Sequence, residues 1–284
     1  MSAPRSAQDI LERSRELVAP ALHRAVGALS DEVRPVAEYH FGWRDLDGQI
    51  VAHDGGKGVR PALAVLSAEA VDADPEFGIP GAVAVELVHN FSLIHDDVVD
   101  HDAERRHRPS VWALFGVGKA VIVGDALLAL SEQCLLDAYG VLGVAADAQE
   151  TAVARAARRI ADATSKMIAG QALDMAFEHT ESVGLDACRE MEAGKTGALL
   201  SCASAIGAEF AAADRERVVV LARFGLELGL AFQAIDDVLG IWGDPARTGK
   251  PAGSDLRAGK MSLPIVAALE RGGPEADELR SLLR

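Results

Sequence analysis

The sequence predicts an all-α fold, a bundle of long helices, and three observations carry that prediction. Apolar residues recur at helical spacing through most of the 284 residues. Hydrophobic residues make up 49% of the chain and aromatic ones only 5%, with Ala, Leu, Val and Glu prominent, which favours helices over a β-sandwich. No alternating strand pattern of useful length, internal repeat or low-complexity tract interrupts this pattern. The chain is long enough to bury one large core, and residues 1–284 are read as a single domain.

The first element is 5–29, where Ile10, Leu11, Leu17, Val18, Leu22 and Val26 are helically spaced. Ser30-Asp31 then reads as the N-cap of a second helix. Residues 41–58 are rich in Gly and Asp and read as a loop. Helices follow at about 60–72, 79–101, 110–138, 148–178, 185–209 and 214–241. The Gly- and Pro-rich stretch 242–255 is a loop, and a last helical stretch covers about 256–270. The first ten residues contain no apolar h-region, so no signal peptide is expected. The longest apolar stretches are cut by Asp125 or by Arg223 and Glu227, so no membrane span is expected.

The formal charge of −15 argues against a general nucleic-acid binder, because no face is basic enough to release counterions. A few clustered Arg and Lys residues beside a metal can still hold a small anion. Cys134, Cys188 and Cys202 are widely spaced, lack metal-ligand spacing, and fit buried thiols in a reducing cytosol.

Two acidic clusters stand out, Asp96-Asp97-Val98-Val99-Asp100 and Asp236-Asp237, each at the end of a long apolar segment. In a helix Asp96 and Asp100 share one face, about 6 Å apart along the axis. Carboxylates stacked this way repel one another unless a cation lies between them. All-oxygen ligands suit Mg²⁺, which keeps some water and bridges to phosphate oxygens. Two such clusters on facing helices would cage a metal-bound diphosphate. The plainer reading of either cluster alone is a solvated acidic helix end.

Basic motifs accompany the clusters. Gly55-Gly56-Lys57-Gly58-Val59-Arg60-Pro61 opens a helix. Its glycines let backbone approach an anion, Pro61 suits a first turn, and Lys57 and Arg60 add charge beside a helix N-terminus. Taken alone, this is as readily a Gly-rich turn with incidental basic residues. Glu86-x-x-His89 resembles half of a di-iron carboxylate site, but no second Glu-x-x-His accompanies it. His95-Asp96 as the doublet of a metal phosphohydrolase leaves Asp97, Asp100 and the second cluster without a role. For His89 alone, a satisfied core histidine is the common case. Arg105-Arg106-His107-Arg108 closely follows Asp100. As surface pairs these residues stabilise little, whereas beside a metal cage they would clamp phosphate oxygens. Lys195-Thr196 lies in a helix-like run, Gln233 crowds the helical face of Asp236 and Asp237, and Lys250 and Lys260 flank the loop that follows.

In this order, over about residues 50–270, the motifs GGKGVRP, DDVVD, RRHRP, GKT, FQAIDD and GK..GSDL..GK resemble those of the trans-prenyl diphosphate synthases. That is the farnesyl and geranylgeranyl diphosphate synthase family; each piece alone is unspecific, and the conjunction is specific. The resemblance implies a homodimeric, cytoplasmic enzyme of the prenyl-synthase (terpenoid synthase) fold, with mostly antiparallel helices around a central cavity and three Mg²⁺ ions per active site. It implies that Asp96 and Asp100 hold two metals and Asp236 the third, with Asp97 and Asp237 supporting. Lys57, Arg60, His89 and Arg106 would bind the diphosphate of isopentenyl diphosphate. Arg105, Lys195 and Lys260 would contact the allylic diphosphate, with Thr196 and Gln233 near its first carbons. These aspartates and Lys195 would be the catalytic residues.

Product length is expected to follow from the residues before Asp96. Ser92 is small and shares the face of Asp96, while bulky Phe91 lies about 100° around the helix and closes the cavity further down. A single aromatic five positions before an uninterrupted DDxxD resembles one class of geranylgeranyl diphosphate synthases, so a twenty-carbon product is expected. Farnesyl or longer products are the alternatives. Gly240 stands where the family's second motif often has its last Asp, and DDVLGIWGD also fits the looser metal motif of terpene cyclases of the same fold. The sequence also ends short of the further C-terminal helices usual in the family. A cyclase needs no isopentenyl site, so Lys57, Arg60, His89 and Arg106 discriminate against it. A non-catalytic helical partner would not need Asp96, Asp100, Asp236 and the Arg pair together.

Overall fold

A computed structural model describes residues 6–51, 56–138, 146–177, 180, 182–244, 253–257 and 259–283. The chain divides into two compact units, Met1–Ala161 with Cys202–Ala222, and Asp162–Ser201 with Arg223–Arg284.

In the first unit, α1 (Ala7–Gly27) opens on a capping box, in which Ser6 Oγ accepts from the Asp9 amide and the Asp9 carboxylate accepts from the Ser6 amide. It buries Val18, Leu22 and Val26. α2 (Arg34–Phe41) is capped at Val33 rather than at Ser30-Asp31. Pro35 sits in its first turn, where a fixed φ suits a helix start, and Ser30 instead closes a turn by accepting the Arg34 amide at 2.8 Å. The described part of the 41–58 segment is a loop pinned by a bridge between Arg44 and Ile50.

α3 (Val59–Glu69) and α4 (Ile79–Val99) follow, joined by a 3₁₀ turn at Pro75–Gly78. α4 is the central helix of the unit, and Val85, Leu87, Val88 and Ile94 have 0% exposure. Burying each such side chain contributes about 2 kcal/mol. α4 packs on α3 and on α6 (Val117–Asp137). Gly124 permits the second contact, since a Cβ there would lie 2.2 Å from His95 Nε2. Between α4 and α6 run a two-stranded hairpin, β1 (Glu104–Arg105) and β2 (Arg108–Pro109), and the short α5 (Val111–Phe115). The continuous helix expected over 110–138 therefore breaks, at Gly116, whose φ of 86° and ψ of 157° favour glycine.

α7 (Ala146–Phe177), α9 (Ala198–Phe210) and α10 (Arg215–Trp242) contribute residues to both units. In the second unit α8 (Leu185–Glu192) passes through a π-turn (Ala193–Gly197) into α9, so the helix expected over 185–209 is interrupted. The stretch expected over 256–270 is α11 (Ser254–Arg257) and α12 (Leu263–Arg271), with α13 (Pro274–Leu282) beyond. Gly272 and Gly273, both at positive φ, separate the last two. Val183, Cys188, Met191 and Val266 form the apolar core here.

By length and composition alone Pro75–Val99 and Arg215–Trp242 could each cross a membrane, although 61% of the first one's apolar stretch is buried in the protein itself and 17% of the second's.

Candidate active site

α4 carries His89, Asp96 and Asp97 along its last turns, and Asp100 caps it, its amide 2.8 Å from the Asp96 carbonyl. Asp96 and Asp100 thus remain one turn apart. The doublet divides its environment. Asp97 is 1% exposed, Asp96 is half-buried and Asp100 is exposed. Arg105 grips Asp97, with Nε 2.8 and 2.9 Å from its two oxygens and Nη2 2.7 Å from Oδ1. Burial raises the Asp97 pKa and Arg105 opposes that rise.

Arg105 reaches Asp97 from the hairpin. Its two turn residues, Arg106 and His107, have φ of 52° and 60°, a type I′ turn built without glycine. Such strain costs on the order of 1 kcal/mol or more per residue and persists only where the surroundings impose it. Here Tyr39 donates its hydroxyl to Pro109 O at 2.8 Å, and Trp112 Nε1 donates to Asp102 O at 2.9 Å. Arg108 donates to Arg44 O at 2.6 Å and to Tyr39 O at 3.3 Å, with its guanidinium 4.2 Å from the centre of the Tyr39 ring. Arg108 is therefore a strut of the hairpin, which corrects the reading of Arg105 to Arg108 as one set of phosphate clamps. Arg106 lies over Gly56, where a Cβ would come within 3.2 Å of its Nη2, and Arg15 Nη2 donates to Gly56 O at 3.1 Å.

Arg60 Nη1 donates to His89 Nε2 at 3.1 Å, which puts the imidazole proton on Nδ1. Burial, then Arg60 and Arg106, hold His89 well below its ordinary pKa, so it is neutral. Fully buried Asn90 donates to Glu86 O at 2.8 Å and to Glu86 Oε1 at 3.1 Å. Its Oδ1 therefore accepts from His40 Nε2, 3.1 Å away. His40 is pushed down to about 3, first by burial and then by Arg106 and Arg105. Burial raises Glu86, against the pull of Arg60, Asn90 and Arg106. The result is a net positive cluster, with Lys57 exposed beside it. Sequence reasoning missed His40 and Asn90. Asn90 lies four residues after Glu86 on one helical face, a usable signal, whereas nothing in the sequence pointed to His40.

On the same helix Phe91 is buried, its ring edge-on to His95 at 4.8 Å. Ser92 is half-buried and donates to His89 O at 2.8 Å.

In the second unit the π-turn is wedged between glycines. A Cβ on Gly170 of α7 would lie 2.2 Å from the Lys195 amide nitrogen, and one on Gly229 of α10 would lie 2.7 Å from Gly197 Cα. π-turns of this kind frequently mark functional sites. Lys195 Nζ donates to Asp174 Oδ2 at 2.5 Å, and Thr196 Oγ1 donates to Gln233 Oε1 at 2.7 Å. Gln233 Nε2 and the Leu263 amide each donate to Asp237, both at 2.8 Å. Asp237 is 6% exposed whereas Asp236 is exposed, so in this doublet too the second carboxylate is the more buried one. Lys260 is half-buried just before α12. Gly55 and Lys250 lie outside the described residues.

Both clusters offer only carboxylate oxygens, which suits Mg²⁺. Among the described residues no three His, Cys, Asp or Glu side chains converge as a ready-made cage. An ion held by Asp96 and Asp100, or by Asp236, would complete its shell with water and phosphate oxygens, as Mg²⁺ usually does.

The sequence matches the polyprenyl synthetase family over residues 48–284. A (2E,6E)-farnesyl diphosphate synthase of Mycobacterium tuberculosis is 46% identical over 274 residues, covering 96% of this chain and 74% of that protein. A geranylgeranyl diphosphate synthase of the same organism is 44% identical over 273 residues, covering 96% and 75%. The crystal structure of a polyprenyl synthetase from Streptomyces coelicolor A3(2) aligns with a TM-score of 0.90 at 52% identity, over 98% of this chain and 79% of that one.

Proposed function

The chain belongs to the polyprenyl synthetase family and is a trans-prenyl diphosphate synthase, and we propose that it joins isopentenyl diphosphate to an allylic diphosphate, with geranylgeranyl diphosphate as its main product. The observation that carries this reading is the repeated doublet, in which Asp97 and Asp237 are buried and hydrogen-bonded while Asp96 is half-buried and Asp236 exposed. Asp96, Asp100 and Asp236 would hold three Mg²⁺ ions, whose Lewis acidity stabilises the departing diphosphate. Lys57, Arg60, His89 and Arg106 hold the diphosphate of isopentenyl diphosphate. His89, neutral in the unliganded protein, gains proton affinity as that negative charge arrives. Arg105, Lys195 and Lys260 hold the allylic diphosphate. The Thr196 hydroxyl proton is committed to Gln233, so its lone pairs remain to face the developing allylic cation. The apolar wall of α4 keeps water from that cation. Holding the isopentenyl double bond within reach removes much of the entropic barrier, and the released diphosphate takes the proton.

The protein acts in this reading as a single-domain, cytoplasmic homodimer. Three free thiols support a reducing compartment, with burial raising Cys134 to about 11 and Cys188 and Cys202 to about 12. Phe91 and Ser92 support the product assignment. The test is incubation with Mg²⁺, isopentenyl diphosphate and each allylic primer, followed by measurement of product length. A twenty-carbon product is expected, lengthened by Phe91→Ala and shortened by Ser92→Phe. A fifteen-carbon product would favour the farnesyl reading, which the name of the 46% identical relative supports. Cyclic hydrocarbons formed from an allylic diphosphate alone would overturn the transferase reading.

A further inference from the structure

Arg15, on α1, is half-buried and lies far along the chain from both aspartate doublets. It flanks Ser14, which is 1% exposed, about 100° around the helix on one side, and Arg13 flanks Ser14 by the same angle on the other. The two arginines act at opposite ends of α3. Arg13 forms a two-pronged pair with Glu69, the last residue of α3, with Nη1 3.1 Å from Oε2 and Nη2 2.5 Å from Oε1. Arg15 Nη2 donates at 3.1 Å to the carbonyl of Gly56, just before α3 begins. Among the described residues this is the only hydrogen bond made by Gly56 or Lys57. The helix cannot supply one to the Lys57 carbonyl, because the residue four places on is Pro61, which has no amide hydrogen. The α-carbon of Gly56 meanwhile lies against Arg106, whose Nη2 a Cβ would approach to 3.2 Å. Lys57 itself is exposed, with a glycine on either side.

We propose that Arg15 is a positioning residue for the isopentenyl diphosphate site, where its bond to the Gly56 carbonyl sets the Gly56-Lys57-Gly58 loop against Arg106 before any ligand arrives. The proposal rests on the prenyl-transfer reading of that site. Glycine loses more conformational freedom on ordering than any other residue, so a loop with two of them places Lys57 poorly by itself. If the ligand has to order the loop, that cost is subtracted from binding. Arg15 moves the cost to folding. Arg13 fixes α1 on α3, and Arg15, two residues on, extends the same helix to the loop. Arg15 need not touch the ligand for this. Its loss should weaken binding of isopentenyl diphosphate and leave the chemical step alone.

Arg15→Met keeps the apolar stem and removes the donor. It should raise KM for isopentenyl diphosphate about tenfold, the effect of losing one hydrogen bond from a charged donor, while kcat and KM for the allylic diphosphate stay within about twofold. Arg15→Lys keeps a charged donor of shorter reach and should recover part of the loss. Arg13→Met is the control. It loosens α1 on α3 but keeps the Gly56 bond, so it should lower stability without separating the two KM values. In a Lys57→Met background, Arg15→Met should have little further effect, because it acts through Lys57. Additive effects of these two substitutions, an equal shift in both KM values, or the same selective shift in Arg13→Met would overturn the proposal. A readout free of activity is cleavage after Lys57 by a lysine-specific protease in the ligand-free protein. Cleavage should quicken several-fold in Arg15→Met and stay near the unaltered rate in Arg13→Met. An unchanged rate in Arg15→Met would refute the hold on the loop. If the unaltered chain makes no prenyl diphosphate, the transferase reading fails while the cleavage rates still decide whether Arg15 sets the loop.

Discussion

The two aspartate doublets meet the same electrostatic problem by different means. Each buries its second carboxylate more deeply than its first. Asp97 receives a full opposite charge from one side chain, Arg105, mounted on a strained hairpin. Asp237 receives neutral donors from separate elements, Gln233 on α10 and the Leu263 amide at the start of α12. A bidentate charged contact is strong but conditional, because losing its single partner strands a buried charge. Distributed neutral donors are individually weaker and partly redundant. The first doublet should therefore be brittle and the second tolerant.

The largest effect expected tests what the doublets share. Asp96→Ala and Asp236→Ala each remove the less buried carboxylate of a doublet and leave the buried one bonded. Each should lower kcat/KM by about 10³-fold, the size of a strong electrostatic contribution to a transition state. Near-normal turnover of either variant at saturating Mg²⁺ would sink the assignment of that doublet as a metal site.

The next effect tests how they differ. Arg105→Ala leaves Asp97 buried without its counter-charge and should destabilise the protein by about 3 kcal/mol. Gln233→Ala leaves Asp237 with the Leu263 amide and should cost about 1 kcal/mol. Denaturant unfolding of the two variants measures the gap, and equal losses would dissolve the contrast between brittle and tolerant.

Much of this was legible in the sequence, because its motifs are local. The doublets, the Gly56 to Pro61 turn and the Lys195-Thr196 pair are each contiguous, and helical spacing alone put Gln233 beside Asp237. What stayed hidden depends on contacts across the chain or on backbone geometry. Arg108 reads as one more phosphate-binding arginine, yet its partners are carbonyls of Tyr39 and Arg44, more than sixty residues upstream. The hairpin was missed because its turn residues, Arg106 and His107, are not the Asn-Gly type that announces a type I′ turn. The π-turn was missed because it depends on close approach by Gly170 and Gly229, residues on other helices.

The last effect expected is a difference in pH response. The first unit holds two neutral histidines, His40 lowered to about 3 and His89 lowered well below its usual value. In the unfolded chain both titrate near 6.5. Below that pH the unfolded chain therefore binds protons that the folded one refuses, and stability falls as pH drops, by about 1 kcal/mol per pH unit for each histidine. Glu86, raised by burial, binds its proton earlier in the folded state and offsets part of this loss. Glu192 in the second unit has the opposite sign. Its folded pKa of about 7 lies above the unfolded 4.5, so its contribution is fully present below 4.5 and is lost as pH rises through 7. Between pH 7 and pH 5.5, without Mg²⁺, hydrogen exchange should therefore quicken for amides of α4 relative to those of α8, once corrected for intrinsic rates. His40→Gln should flatten the response of α4 and leave α8 unchanged. If both helices respond alike, or if His40→Gln changes neither, the two units do not differ in their buried titrating groups, and the contrast is confined to Asp97 and Asp237.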